Sequence, residues 1–138
     1  MSQKKRHTLK TQLVIDKKTM KIICLSFCNG KKHDFKLFKE SDVHAGENTE
    51  FETDTGYIGI TAIHPNSLLP KKRSKNHPLT KEERRNNRII SGKRIYAEHA
   101  IRFVKRFRIL SERYRSRRKR FALRFSLLAG ICNFDMSV

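Results

Sequence analysis

Long apolar stretches are missing from this sequence. A membrane-spanning helix needs roughly 18 apolar residues in a row, and the longest candidate, Phe121 to Phe134, is interrupted by Arg124, Ser126, Gly130 and Asn133. The opening Met-Ser-Gln-Lys-Lys-Arg-His is charged, with no apolar segment behind it long enough for a signal peptide. Cysteine is scarce as well. Cys24, Cys28 and Cys132 form no CxxC pair, which argues against a disulfide framework or a zinc ribbon. Cys24 and Cys28 fall on one face of a strand and read as small, buried apolar side chains. No RNP-type aromatic motif, KH loop or zinc-finger spacing is present, which weakens an RNA-binding reading. These absences lead to the expectation of a soluble, cytoplasmic, nucleoid-associated protein with no membrane partner.

Acidic residues are few, and very few in the second half. Residues 1–70 carry 11 Lys and Arg against 8 Asp and Glu, whereas residues 71–138 carry 21 against 5. The net charge of +19 and the isoelectric point near 10.4 strain a compact state by self-repulsion unless a polyanion neutralises it. Nucleic acid is the usual polyanion. At 138 residues the chain has room for one domain with a modest core. We expect a single domain over 1–138, sheet-forming in 1–70 and basic and helical in 71–138. The 37% hydrophobic content argues against wholesale disorder.

Local patterns divide the chain further. Thr8 to Ile15 and Met20 to Phe27 are β-branched and apolar, and the polar Asp16-Lys17-Lys18-Thr19 joins them, so they predict a β-hairpin. Asn29-Gly30 ends it, and Asp34 is placed to cap a short helix from Phe35. Glu50 to Asp54, Ile58 to Ile63 and Ser67 to Leu69 are short extended candidates. Thr80-Lys81-Glu82-Glu83 is a capping-box pattern. It opens a helix expected to run to about Leu110, bent or broken near Ser91-Gly92. Ala97, Ile101 and Val104, with Ala100, Phe103 and Phe107, lie at helical spacing and give it an apolar face. Arg113 to Arg120 is nearly all basic, and Phe121 to Phe134 reads as a final, largely buried helix. The order is that of an α/β fold with an antiparallel start.

Four segments, in order, carry a family resemblance. They are Lys-Lys-Arg-His-Thr-Leu-Lys-Thr-Gln at 4–12, Asn-Gly-Lys-Lys-His-Asp-Phe-Lys-Leu-Phe at 29–38, Asp-Thr-Gly-Tyr at 54–57, and Ala-Glu-His-Ala-Ile-Arg-Phe-Val-Lys-Arg-Phe at 97–107. Together they resemble the DDE transposases of bacterial insertion sequences, in the C-terminal part of the catalytic domain. Residues 109–115 and 124–133 extend the likeness. The resemblance implies a ribonuclease-H-like fold lacking its first strand. It also implies three carboxylates that hold two divalent ions, Mg²⁺ or Mn²⁺, for cleavage of DNA phosphodiesters and strand transfer.

On that resemblance the family's second carboxylate falls on Asp54 and its third on Glu98. Each has a plainer reading: Asp54 before Thr-Gly is a good turn former, and Glu98 shares a helix stripe with Arg94 and Arg102, where ion pairs would account for it. The same stripe offers Arg94, Arg102 and Lys105 to a DNA phosphate, with Lys105 matching a basic position of the family. Arg115, Arg117, Arg118 and Arg120 are expected as further phosphate contacts. His33 and Asp34 match a motif expected to orient the helix after the hairpin. Transposon-end DNA is the expected partner, with an upstream transposase fragment or a second copy of the chain beside it.

The departure is at the start. The family's first carboxylate precedes the Lys-Lys-Arg-His segment, and residues 1–6 contain no acidic residue. Asp16 lies in the hairpin turn and is a poor substitute. The expectation is a truncated or split reading frame with impaired activity. Two rivals stand beside it: a non-enzymatic basic DNA-binding remnant, and a simple metal-dependent nuclease.

Overall fold

A β-hairpin with different packing on its two faces organises the chain. The structure is a computed structural model that describes residues 8–114 and 117–136. Residues 4–7 of the first motif, and Arg115, lie outside the described residues. Strands β1 (Leu9–Ile15) and β2 (Ile22–Asn29) pair antiparallel from Leu9 opposite Asn29 to Ile15 opposite Ile22. The turn is built by Asp16, whose carboxylate accepts from the Lys18 amide at 3.1 Å and the Thr19 hydroxyl at 2.7 Å. Those bonds hold the Asp16 carboxyl below its usual value. Met20 takes the left-handed conformation, φ 60°, that the reversal demands.

Strand alternation separates the faces, with one interruption. Val14 pairs with Cys24 and Ile15 with Ile22, so Ile23 is passed over and lies 68% exposed. This bulge puts Ile22 on the same face as Leu25 and Phe27, which a regular strand would forbid. That face meets helix α5 (Phe121–Asp135). Ile22, Val104, Phe121, Phe125, Ala129 and Cys132 form the core there, with Leu9, Leu13, Ile15, Leu25 and Phe27 packed against it. Phe27 sits edge-on to Phe121 and Phe125 at 5.7 and 5.5 Å between ring centres, the geometry that aromatic quadrupoles favour. Asn133 closes the contact. Its amide group donates to the Ile22 carbonyl and accepts from the Ile22 amide, both at 2.8 Å, extending the strand's pairing onto a helix side chain. The pattern Phe121 to Phe134 predicted a largely buried helix, but only one side is covered. Leu123, Leu127 and Phe134 are 71%, 66% and 72% exposed, because the hairpin is narrow and covers a single helix face.

The opposite face of the hairpin holds α1 (Asp34–Glu40), which buries Leu37 and Phe38. Asp34 is not its cap, contrary to expectation. His33 occupies that position with no side-chain bond, and Asp34 is the first helical residue, its carboxylate drawn 2.8 Å from Lys10 Nζ instead. Beyond α1, β3 (Phe51–Glu52) pairs in parallel with β4 (Ser67–Leu68). Residues 58–63, expected to be extended, turn instead. Gly59 at φ 102° admits a 3₁₀ turn over Ile60–Ala62 that buries Ile60 completely.

The basic half is helical. Thr80 and Glu83 make the full capping box of α2 (Lys81–Lys93). The helix expected to reach Leu110, bent or broken near Ser91-Gly92, is divided into three: α2, α3 (Ile95–Lys105) and α4 (Arg108–Ser111). The break falls at Arg94, just after the Ser91-Gly92 pair. Ala100 and Val104 are buried as the spacing implied, while Ile101 lies at the surface. The described residues are mixed α/β with two small sheets, and no helix among them is long and apolar enough to cross a membrane.

Candidate active site

Asp54 follows β3 and is the N-cap of a 3₁₀ turn over Thr55–Tyr57. Its Oδ1 accepts from the Gly56 amide at 2.7 Å, the Asx geometry that an Asp-Thr-Gly sequence favours. Oδ2 remains and faces the Arg94 guanidinium at 3.9 Å. That is too long for a hydrogen bond but close enough for a charge contact. Two neighbours bring the same elements together: Lys93 Nζ lies 3.5 Å from Glu50, and Lys17, bonded to Glu52 at 2.7 Å, stands over the Tyr96 ring. The junction of α2 and α3 is thereby drawn to the end of β3.

Glu98 lies in the first turn of α3, its amide bonded to the Arg94 carbonyl at 3.2 Å. The two residues are thus one helical turn apart. Glu98 is exposed and makes no ion pair among the described residues. The salt bridges to Arg94 and Arg102 that would have explained it structurally are not formed, since Arg94 turns to Asp54. Arg102 and Lys105 are exposed further along α3, and Arg117, Arg118 and Arg120 are exposed around a 3₁₀ turn over Arg118–Arg120. Arg106, not singled out by the sequence, has a structural role: it pairs with Asp135 and lies 3.8 Å over the Phe103 ring.

Behind Asp54, β1 supplies a buried polar side chain. Gln12, 5% exposed, donates to the Ser41 hydroxyl at 3.1 Å and accepts from the Tyr57 hydroxyl at 3.4 Å. Burial pushes the Tyr57 phenol up to about 12, and the Asp34 and Asp54 carboxylates add to the shift, because a second negative charge there is costly. The sequence offered one clue to Gln12, its place at the end of the 4–12 motif. Nothing local marked Asn133.

The oxygen ligands of Asp54 and Glu98 suit a hard divalent ion. Yet the described residues bring together no group of three or more His, Cys, Asp or Glu able to hold a metal ion, and Asp54 faces a guanidinium. The described residues therefore do not make a complete metal site.

Residues 1–133 match the DDE superfamily endonuclease family. The chain is also 48% identical over 132 residues to the probable transposase for insertion sequence element IS702 of Microchaete diplosiphon, an alignment covering 96% of this chain. It spans about half the length of that curated relative, 48%. No solved structure matches.

Proposed function

The chain belongs to the DDE superfamily endonucleases, and from that premise we propose that it serves DNA transposition, contributing Asp54 and Glu98 as two of three catalytic carboxylates. In this reading the hairpin, α1, β3 and α3 are parts of a ribonuclease-H-like domain over 1–138. Residues 71–138 supply most phosphate contacts, through Arg102, Lys105, Arg117, Arg118 and Arg120. The observation that carries it is the partner choice of Arg94. It reaches Asp54 and, among the described residues, makes no ion pair with Glu98, so one basic residue suited to a scissile phosphate links the turn that carries Asp54 to the start of the helix that carries Glu98.

Residues 1–6 offer no acidic side chain, and Asp16 is occupied by its own turn. Two carboxylates without the third lose transition-state stabilisation as well as affinity, so the rate falls by orders of magnitude. The 138-residue chain is expected to bind DNA and, alone with Mn²⁺, neither to nick supercoiled plasmid nor to join labelled 3′-ends. Adding a strand segment that carries an Asp ahead of residue 4, in trans or fused, restores both activities, and Glu98→Gln removes them again. Cleavage without joining would mark a plain nuclease. DNA binding with no activity in the supplemented chain would leave the non-enzymatic reading.

A further inference from the structure

Three polar motifs that stand far apart in the sequence form one connected unit behind Asp54. From β1, Lys10 Nζ reaches Asp34 Oδ1 at 2.8 Å and donates to the Lys32 carbonyl at 2.7 Å. Two residues along the same strand face, buried Gln12 joins Tyr57 to Ser41 at the end of α1. Between these struts lies Gly56. A methyl group there would stand 2.5 Å from Asp34 Oδ2 and 3.0 Å from Asp54 Oδ1. The two carboxylates therefore flank the Gly56 backbone, leaving no room for a side chain.

Like charges so placed repel, and more strongly where water is partly excluded. Asp34 is held in place by Lys10, so Asp54 is the one free to turn. Its inward oxygen is satisfied by the Gly56 amide at 2.7 Å, and its other oxygen faces α3. We infer that Asp34 is a positioning residue for Asp54: gripped by Lys10, it walls the inner side of Gly56 and holds the Asp54 carboxylate toward α3. The inference rests on the catalytic reading of Asp54 given above. It also gives one physical reason for Lys10, Asp34 and Gly56 together, where helix orientation accounted for Asp34 alone.

Amide hydrogen exchange of the 138-residue chain, read by NMR, tests it. In Asp34→Asn the Gly56 amide should exchange about tenfold faster, the effect of weakening one hydrogen bond, with the Leu37 and Ser41 amides of α1 unchanged. Lys10→Gln, which retains both carboxylates, should speed Gly56 in the same direction and by a smaller factor. It serves equally if Asp34→Asn does not fold. A Gly56 amide unmoved in the variants, or a loss of protection spread through α1, would overturn the proposal and reduce Asp34 to a helix-start residue. Failure of the catalytic reading is separate. Asp54→Asn would then speed Gly56 exchange yet leave DNA cleavage by the supplemented chain intact.

Discussion

Arg94 Nη2 stands 3.9 Å from Asp54 Oδ2, linking the start of α3 to the turn after β3. Both groups are partly exposed, so the contact contributes little to stability. Arg94→Gln should change the unfolding free energy by less than about 1 kcal/mol in urea titrations. Its effect on DNA affinity should be the larger one, because a partly exposed guanidinium beside Asp54, one helical turn before Glu98, is placed to meet phosphate. An equal, sizeable loss in stability would make Arg94 a structural brace.

Charge is concentrated in residues 71–138, so log affinity for DNA should fall steeply with log salt. Replacing Arg117, Arg118 and Arg120 together with Gln should reduce that slope by about 0.9 for each phosphate no longer neutralised. Fluorescence anisotropy at several salt concentrations measures it. A slope equal to that of the parent chain would remove this turn from the interface.

Asn133 satisfies both backbone groups of Ile22. Asn133→Ala leaves an amide and a carbonyl without those partners at the edge of the core, at a cost of about 1–3 kcal/mol. Thermal unfolding should show a clear drop in midpoint. Leu123→Ala on the exposed side of the same helix should shift it much less.

Tyr57 links stability to alkaline pH. Its folded phenol titrates near about 12 against an ordinary value of 10.0. The unfolded chain therefore loses this proton first as pH rises. The stabilisation from the neutral phenol is complete below pH 10 and lost between about 10 and about 12. Tyr57→Phe should show a shallower stability decline across that window than the parent chain. Identical declines would mean that Tyr57 ionises as freely in the folded state as in the unfolded one.

Patterns set by neighbours along the chain were legible from the sequence. The hairpin, with its Asp16 turn, follows from β-branched runs separated by four polar residues, and the Thr80–Glu83 capping box from a spacing of three. The charge division needed only counting. Asp54 and Glu98 were nominated by their motifs, and the turn-forming role of Asp54 was visible in Asp-Thr-Gly. Tertiary structure decided what depends on groups distant in sequence. The bulge at Ile23, which turns Ile22 into the core, answers to the shape of α5. The exposed side of α5 follows from the narrow hairpin beneath it. Asp34 had the composition of a cap, but Lys10, 24 positions earlier, offered its carboxylate an opposite charge. Arg94 had Glu98 one turn away and took Asp54 instead. Local pattern sets what each segment can form. Which partner a long polar side chain takes is set by where the folded backbone brings competing charges, and no spacing in the sequence encodes that.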